Sequence, residues 1–127
     1  MNRLIHILAM LMGLVLLSCD RDIPFEKNKW VEHADRFYPY RNLMVEDLLE
    51  SEEFKGKSLK EVFEILGTHD DWCDHTMYEL KYQILVGYGS DSAPIHTKYL
   101  VFELNPADTL IDSNTVVTNI RVDEWKK

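Results

Sequence analysis

The densest gathering of chemically capable side chains in this sequence is His69-Asp70-Asp71-Trp72-Cys73-Asp74-His75. Imidazole, thiolate and carboxylate all ligate zinc, Cys73 and His75 are close enough along the chain to share an ion, and His69 is a third candidate ligand. A structural zinc site draws its ligands from two separate segments, so the distant His33 or His96 would have to complete the set. The spacing fits no metal signature. The expectation is a polar loop with Trp72 and Cys73 at the edge of the core, and no metal or other cofactor. Gly56-Lys57-Ser58 has the ending of a phosphate-binding loop, but Ser51 stands where that loop's first glycine belongs, and a helix rather than a strand precedes it. Asp108, Asp112 and Asn114 lack the spacing and turn glycine of a calcium loop. None of His33, His69, His75 and His96 stands with a serine, cysteine or carboxylate in a catalytic arrangement. No enzymatic reaction is therefore expected.

The elements that must position these residues are marked locally. A first helix is predicted over 42–50, with Asn42 as its cap and Glu46 and Asp47 near its positive end. Met44, Leu48 and Leu49 share one side of it. Ser58 followed by Glu61 is a capping box, and Leu59, Val62, Phe63 and Leu66 form an apolar stripe behind it. Gly67 follows as the stop and Gly56 separates the two helices. Three strands come next. Residues 77–86 put Tyr78, Leu80, Tyr82 and Ile84 on one face. Residues 96–104 do the same with Leu100, Phe102 and Leu104, and residues 115–125 with Val116, Thr118, Ile120 and Val122. Turn formers fill 87–94 and 105–114. The expected fold is α+β, two N-terminal helices packed on a three-stranded antiparallel meander in the order α-α-β-β-β.

Size and charge narrow the function further. The chain has 127 residues and a formal net charge of −8. Its first eighteen residues carry one charge, Arg3, ahead of an apolar run from Leu4 to Leu17 that is short for a bilayer span. This reads as an export signal. The end of the run, Leu16-Leu17-Ser18-Cys19, resembles the lipobox of bacterial lipoproteins. That resemblance implies cleavage before Cys19 and a lipid on its sulfur. Taking residues 1–18 from 127 leaves 109, with 13 of the 14 basic and all 22 acidic side chains, a net −9. Such a surface repels phosphates, so nucleic acid is excluded as a partner, as is electrostatic attachment to anionic lipid. The lipid is then the anchor. With Cys19 occupied, Cys73 has no partner in the chain, and the fold must stand without a disulfide. The expected organisation is a signal over 1–18, a lipid-anchored tether over 19–40 and a domain over 41–127. The stretch bearing Trp30, Phe37, Tyr38 and Tyr40 is expected to lie against the domain. The expected place is the bacterial cell envelope, membrane-anchored and extracytoplasmic.

Helix one, the Gly-Lys-Ser link, Leu59-Lys60-Glu61-Val62-Phe63-Glu64-Ile65-Leu66-Gly67 and three strands ending near Trp125 are together similar to the SmpA/OmlA group. These are the BamE-type lipoproteins of outer-membrane β-barrel assembly. His69 stands where that family carries proline, and the Asn105-to-Asn114 loop replaces its Asp-Gly turn. Phe25 to Trp30 and Arg41 to Leu49 also resemble small uncharacterised bacterial proteins of the same build, which recurs in secreted inhibitors of β-lactamase. The resemblance implies a binding platform rather than an activity. The candidate partner-binding residues are those expected on the outward sheet face: Tyr99, Val101, Val117, Arg121 and Trp125. The expected function is protein–protein contact in outer-membrane assembly or envelope maintenance. The alternative is an inhibitor or immunity-type lipoprotein that captures a secreted enzyme through the loops at 87–95 and 105–114.

Overall fold

The computed structural model describes residues 21–68, 71–72, 78–105 and 111–127. The signal segment, Cys19, and the metal candidates His69, Cys73 and His75 lie outside them. Three helices, α1 (Lys27–Val31), α2 (Arg41–Glu50) and α3 (Leu59–Leu66), precede the sheet. The strands are β1 (Asp71–Trp72), β2 (Glu79–Tyr88), β3 (Pro94–Leu104) and β4 (Val117–Lys126), in the spatial order β1-β2-β3-β4, all neighbours antiparallel. The fold is α+β, with the helices on one face of the meander formed by β2, β3 and β4. Two elements go beyond the expected five: the short helix α1 and the two-residue edge strand β1.

The core follows from the alternation. Leu80, Tyr82 and Ile84 of β2 and Leu100, Phe102 and Leu104 of β3 are buried against Met44, Val45 and Leu48 of α2 and Leu59, Val62 and Leu66 of α3. Trp30 of α1, from the stretch assigned to the tether, is fully buried in the same cluster. Ile23 N–H donates to Leu43 C=O at 2.8 Å, so ordered packing already begins there. The aromatic N-terminal stretch is thus part of the folded unit.

Helix α3 starts as its sequence requires. The Ser58 hydroxyl accepts from Glu61 N–H at 3.3 Å, and Ser58 N–H donates to the Glu61 carboxylate at 2.8 Å. It ends at Gly67, whose φ of +83° with an extended ψ is open only to glycine. The Tyr82 hydroxyl donates to the Gly67 carbonyl at 2.8 Å and ties this end to β2. Helix α2 differs from expectation: it begins at Arg41, and Asn42 is inside it rather than capping it. The Asn42 side-chain oxygen instead accepts from the Lys98 ammonium at 2.9 Å.

β4 also departs from simple alternation. Glu103 pairs with Asn119 but Leu104 pairs with Val117, so Thr118 is an extra residue, a bulge. The slip turns Val117 into the core, where it is buried beside Leu104, while Ile120 and Val122 keep their expected face. Val116 and Thr118 do not share that core position, because a one-residue slip reverses the faces on either side of it.

A candidate interaction surface

The face of the sheet turned away from the helices has two zones. The first is charged and surrounds Arg121. Its guanidinium donates to Glu103 at 2.5 Å, to Glu79 at 2.6 Å and to Asp123 at 2.9 Å, so three strands meet on one side chain. These carboxylates, Asp123 foremost, hold Arg121 well above its ordinary range, and it stays charged at every working pH. Lys81 adds a bridge to Glu79 at 3.8 Å and lies 6.0 Å from the Tyr99 ring centroid. Val101, opposite both Lys81 and Arg121, is fully buried among these side chains. Arg121→Ala should therefore uncover Val101 and strand three carboxylates together. Urea unfolding of the variant is expected to show a loss of about 1–2 kcal/mol, the scale of a half-exposed charge network.

The second zone lies at the β2–β3 hairpin end and is apolar. Register carries Val86, Thr97 and Trp125 across the three strands in one row. Tyr88 and Ile95 follow at the strand ends. Tyr88 (44%), Ile95 (40%) and Trp125 (49%) are among the large apolar side chains with substantial exposure. Phe37, 51% exposed, reaches this end from the N-terminal segment, its ring 6.5 Å from that of Tyr88 and edge-on to it. Asp35, Arg36, Phe37 and Tyr88 line an open cleft of about 500 Å³. The hairpin beneath is held tight. Gly89 N–H donates to Ala93 C=O at 2.9 Å and Ala93 N–H to the Asp91 carboxylate at 3.1 Å. Ile95 packs so closely on Gly89 that a Cβ there would come within 3.0 Å of it.

Behind this zone, His96 sits 2.7 Å from the Glu124 carboxylate, and Lys126 lies 3.3 Å from the same oxygen. The His96 contact chiefly, then Lys126, keeps Glu124 below the usual carboxylate range. A depressed carboxylate favours the folded state above its unfolded value and stops doing so as the pH falls through its folded one. This contact is thus present at neutral pH and fades in acid.

Of the five residues expected to form the surface, Trp125 is open, Tyr99 is half-buried and Arg121 is occupied by its carboxylates. Val101 lies beneath them. Val117 is removed from the surface by the bulge and belongs to the core. Phe37, Tyr88 and Ile95 belong to the apolar zone as well, although the sequence offers Phe37 only as part of a stretch lying against the domain and Tyr88 and Ile95 only as part of the loop at 87–95. Among the described residues no group of three or more His, Cys, Asp and Glu side chains is placed to hold a metal ion. Nor is any described helix long and apolar enough to cross a membrane. No family model, no curated protein and no solved structure matches this chain.

Proposed function

We propose that this chain is a lipid-anchored domain of the bacterial cell envelope that works by binding another protein through the hairpin end of its outer sheet face. The observation that carries the reading is the exposure of Tyr88 and Ile95 at the end of a tightly bonded hairpin, with Phe37 against Tyr88 and the exposed Trp125 on the neighbouring strand β4. Rigid, exposed aromatics beside a charged zone have the composition of binding hot spots, and apolar groups gathered in one place mark contact sites. The sequence resemblance of Leu59 to Gly67 and the following strands to BamE-type lipoproteins is the ground for proposing envelope maintenance or barrel assembly as the setting. The proposal assigns the domain no catalytic step.

Anchoring adds a geometric constraint. Three residues lie between Cys19 and Ile23, where packing against α2 begins, and the four steps from one to the other span about 14 Å at most. A lipid on Cys19 would hold the N-terminal side of the domain close to the bilayer. Cys19→Ser should then abolish incorporation of labelled palmitate and move the protein out of the membrane fraction. Retention of the variant in the membrane at the parent level would contradict the anchor.

A second reading, capture of a secreted enzyme, draws on the same hairpin. The bonded turn at 89–93 with Asp91 at its tip is a preformed acidic finger suited to a basic cleft. The identity of the captured protein separates the two readings.

A further inference from the structure

The two edges of the sheet are treated differently. On one side, β1 covers residues 80 and 81 of β2. Past it the N-terminal segment takes over, with Arg41 donating to the Gln83 carbonyl at 2.9 Å and the Gln83 amide to the Arg36 carbonyl at 2.7 Å. On the other side, the link before α3 pairs with the start of β4. Gly56 N–H donates to Val117 C=O, and Val117 N–H to Lys57 C=O, both at 2.8 Å. From Thr118 to Lys126 the outer edge of β4 has no strand partner among the described residues. A long bare edge is a template for another strand.

The direction of its free groups can be read from β3. Leu104 N–H points to β2, since it donates to Tyr78, whereas Ile95 C=O and Asn105 N–H both meet the β4 side. Odd-numbered β3 residues therefore bond β4 through Asn119, Arg121, Asp123 and Trp125. The main-chain groups of Ile120, Val122, Glu124 and Lys126 point outward.

We propose that a second copy of this chain pairs with that edge, antiparallel, about a twofold axis through Val122. Only registers that set outward residues opposite one another can form the ladder. Centring one residue earlier opposes Arg121 to itself, and one residue later opposes Asp123 to itself. Centring on Glu124 opposes that carboxylate to its own copy. Centring on Ile120 shortens the overlap, because Val117 is already occupied. The Val122 register alone runs the whole bare edge and sets Arg121 opposite Asp123 of the other copy, twice, by symmetry. Opposite charges directly across strands stabilise and like charges destabilise. The axis is normal to the sheet, so both helix layers stay on one side. The pairing rests on the edge and its charges, independently of the lipid and of the hairpin zone.

The test is disulfide cross-linking in the full-length chain, carried in a Cys73→Ser background and oxidised in whichever cell fraction holds the protein. A twofold partner of Val122 lies about 5.5 Å away at Cα in a hydrogen-bonded pair, within disulfide reach. Val122→Cys chains should cross-link to themselves. Ile120→Cys and Glu124→Cys chains should each do so poorly alone but join when co-expressed, since those positions face one another. Adding Asp123→Arg to Val122→Cys should lower the yield by about tenfold, because symmetry counts the like-charge pair twice. Adding Arg121→Asp as well returns opposite charges to the pair across the axis and should raise the yield again, although Glu79 and Glu103 lose their partner within the chain. Cross-linking of Val122→Cys no higher than the background chain would overturn the proposal. So would equal self-cross-linking at all three positions, which would signal random collision.

Discussion

Trp30→Ala should cost the domain about 3–5 kcal/mol, the range for deleting a fully buried aromatic. Trp30 has no exposed surface. Its ring meets Phe25 and Tyr82 edge-on at 6.1 and 6.0 Å, and the buried Arg41 guanidinium lies 4.7 Å from its centroid. Its carbonyl accepts from Arg41 Nε at 2.8 Å. Alanine would leave a cavity under α1 and strip Arg41 of an aromatic face, and a neighbouring turn cannot collapse into that space without losing the Arg41 bond. Trp30→Phe should cost far less. The indole N–H is buried with no hydrogen-bond partner among the described residues, so phenylalanine gives up volume but no bond. Urea unfolding followed by circular dichroism measures both. A Trp30→Ala loss below about 0.5 kcal/mol, the scale of a surface substitution, would place residues 23–40 outside the folded unit.

The second large effect concerns binding. Replacing Tyr88 and Trp125 together by alanine should weaken the partner complex by about thirtyfold or more, since a single hot-spot aromatic already carries about 2 kcal/mol. Both side chains are near half exposed, so the unfolding midpoint should barely move. That separation of binding from stability distinguishes a contact surface from apolar side chains that merely complete the hairpin. Arg121→Ala should show the opposite pattern, with stability falling first, because its bonds are made within the chain.

The helices and strands were legible wherever local chemistry decides. Ser58, Glu61 and Gly67 mark both ends of α3 through bonds made within a turn, and the alternation of Leu80, Tyr82 and Ile84 fixes a buried face. What escaped depended on distant partners. The bulge at Thr118 arises from the pairing of β3 with β4, and nothing around Val117 in the sequence announces that it turns inward. Asn42 reads as a cap by its type, but Lys98 of β3 claims its side chain. Val101 sits in an alternating strand on the outward face, yet Arg121, Glu79 and Glu103 roof it over from three strands. Phe37 and Tyr88 come together only because the N-terminal segment runs beside β2. The signal for the apolar zone was present in the aromatic richness of residues 30–40, but its placement needed the register of the hairpin.

The most direct test of a protein-binding hairpin face is site-specific photo-cross-linking in the intact envelope. A photoreactive amino acid would replace Trp125 or Tyr88 in the full-length chain, with Glu50, an exposed position on α2, as the control. A discrete adduct with one heavier protein is expected from both Trp125 and Tyr88, and none from Glu50. Adducts of the same pattern and yield from all three positions, or none from Trp125 and Tyr88, would contradict a protein-binding face there.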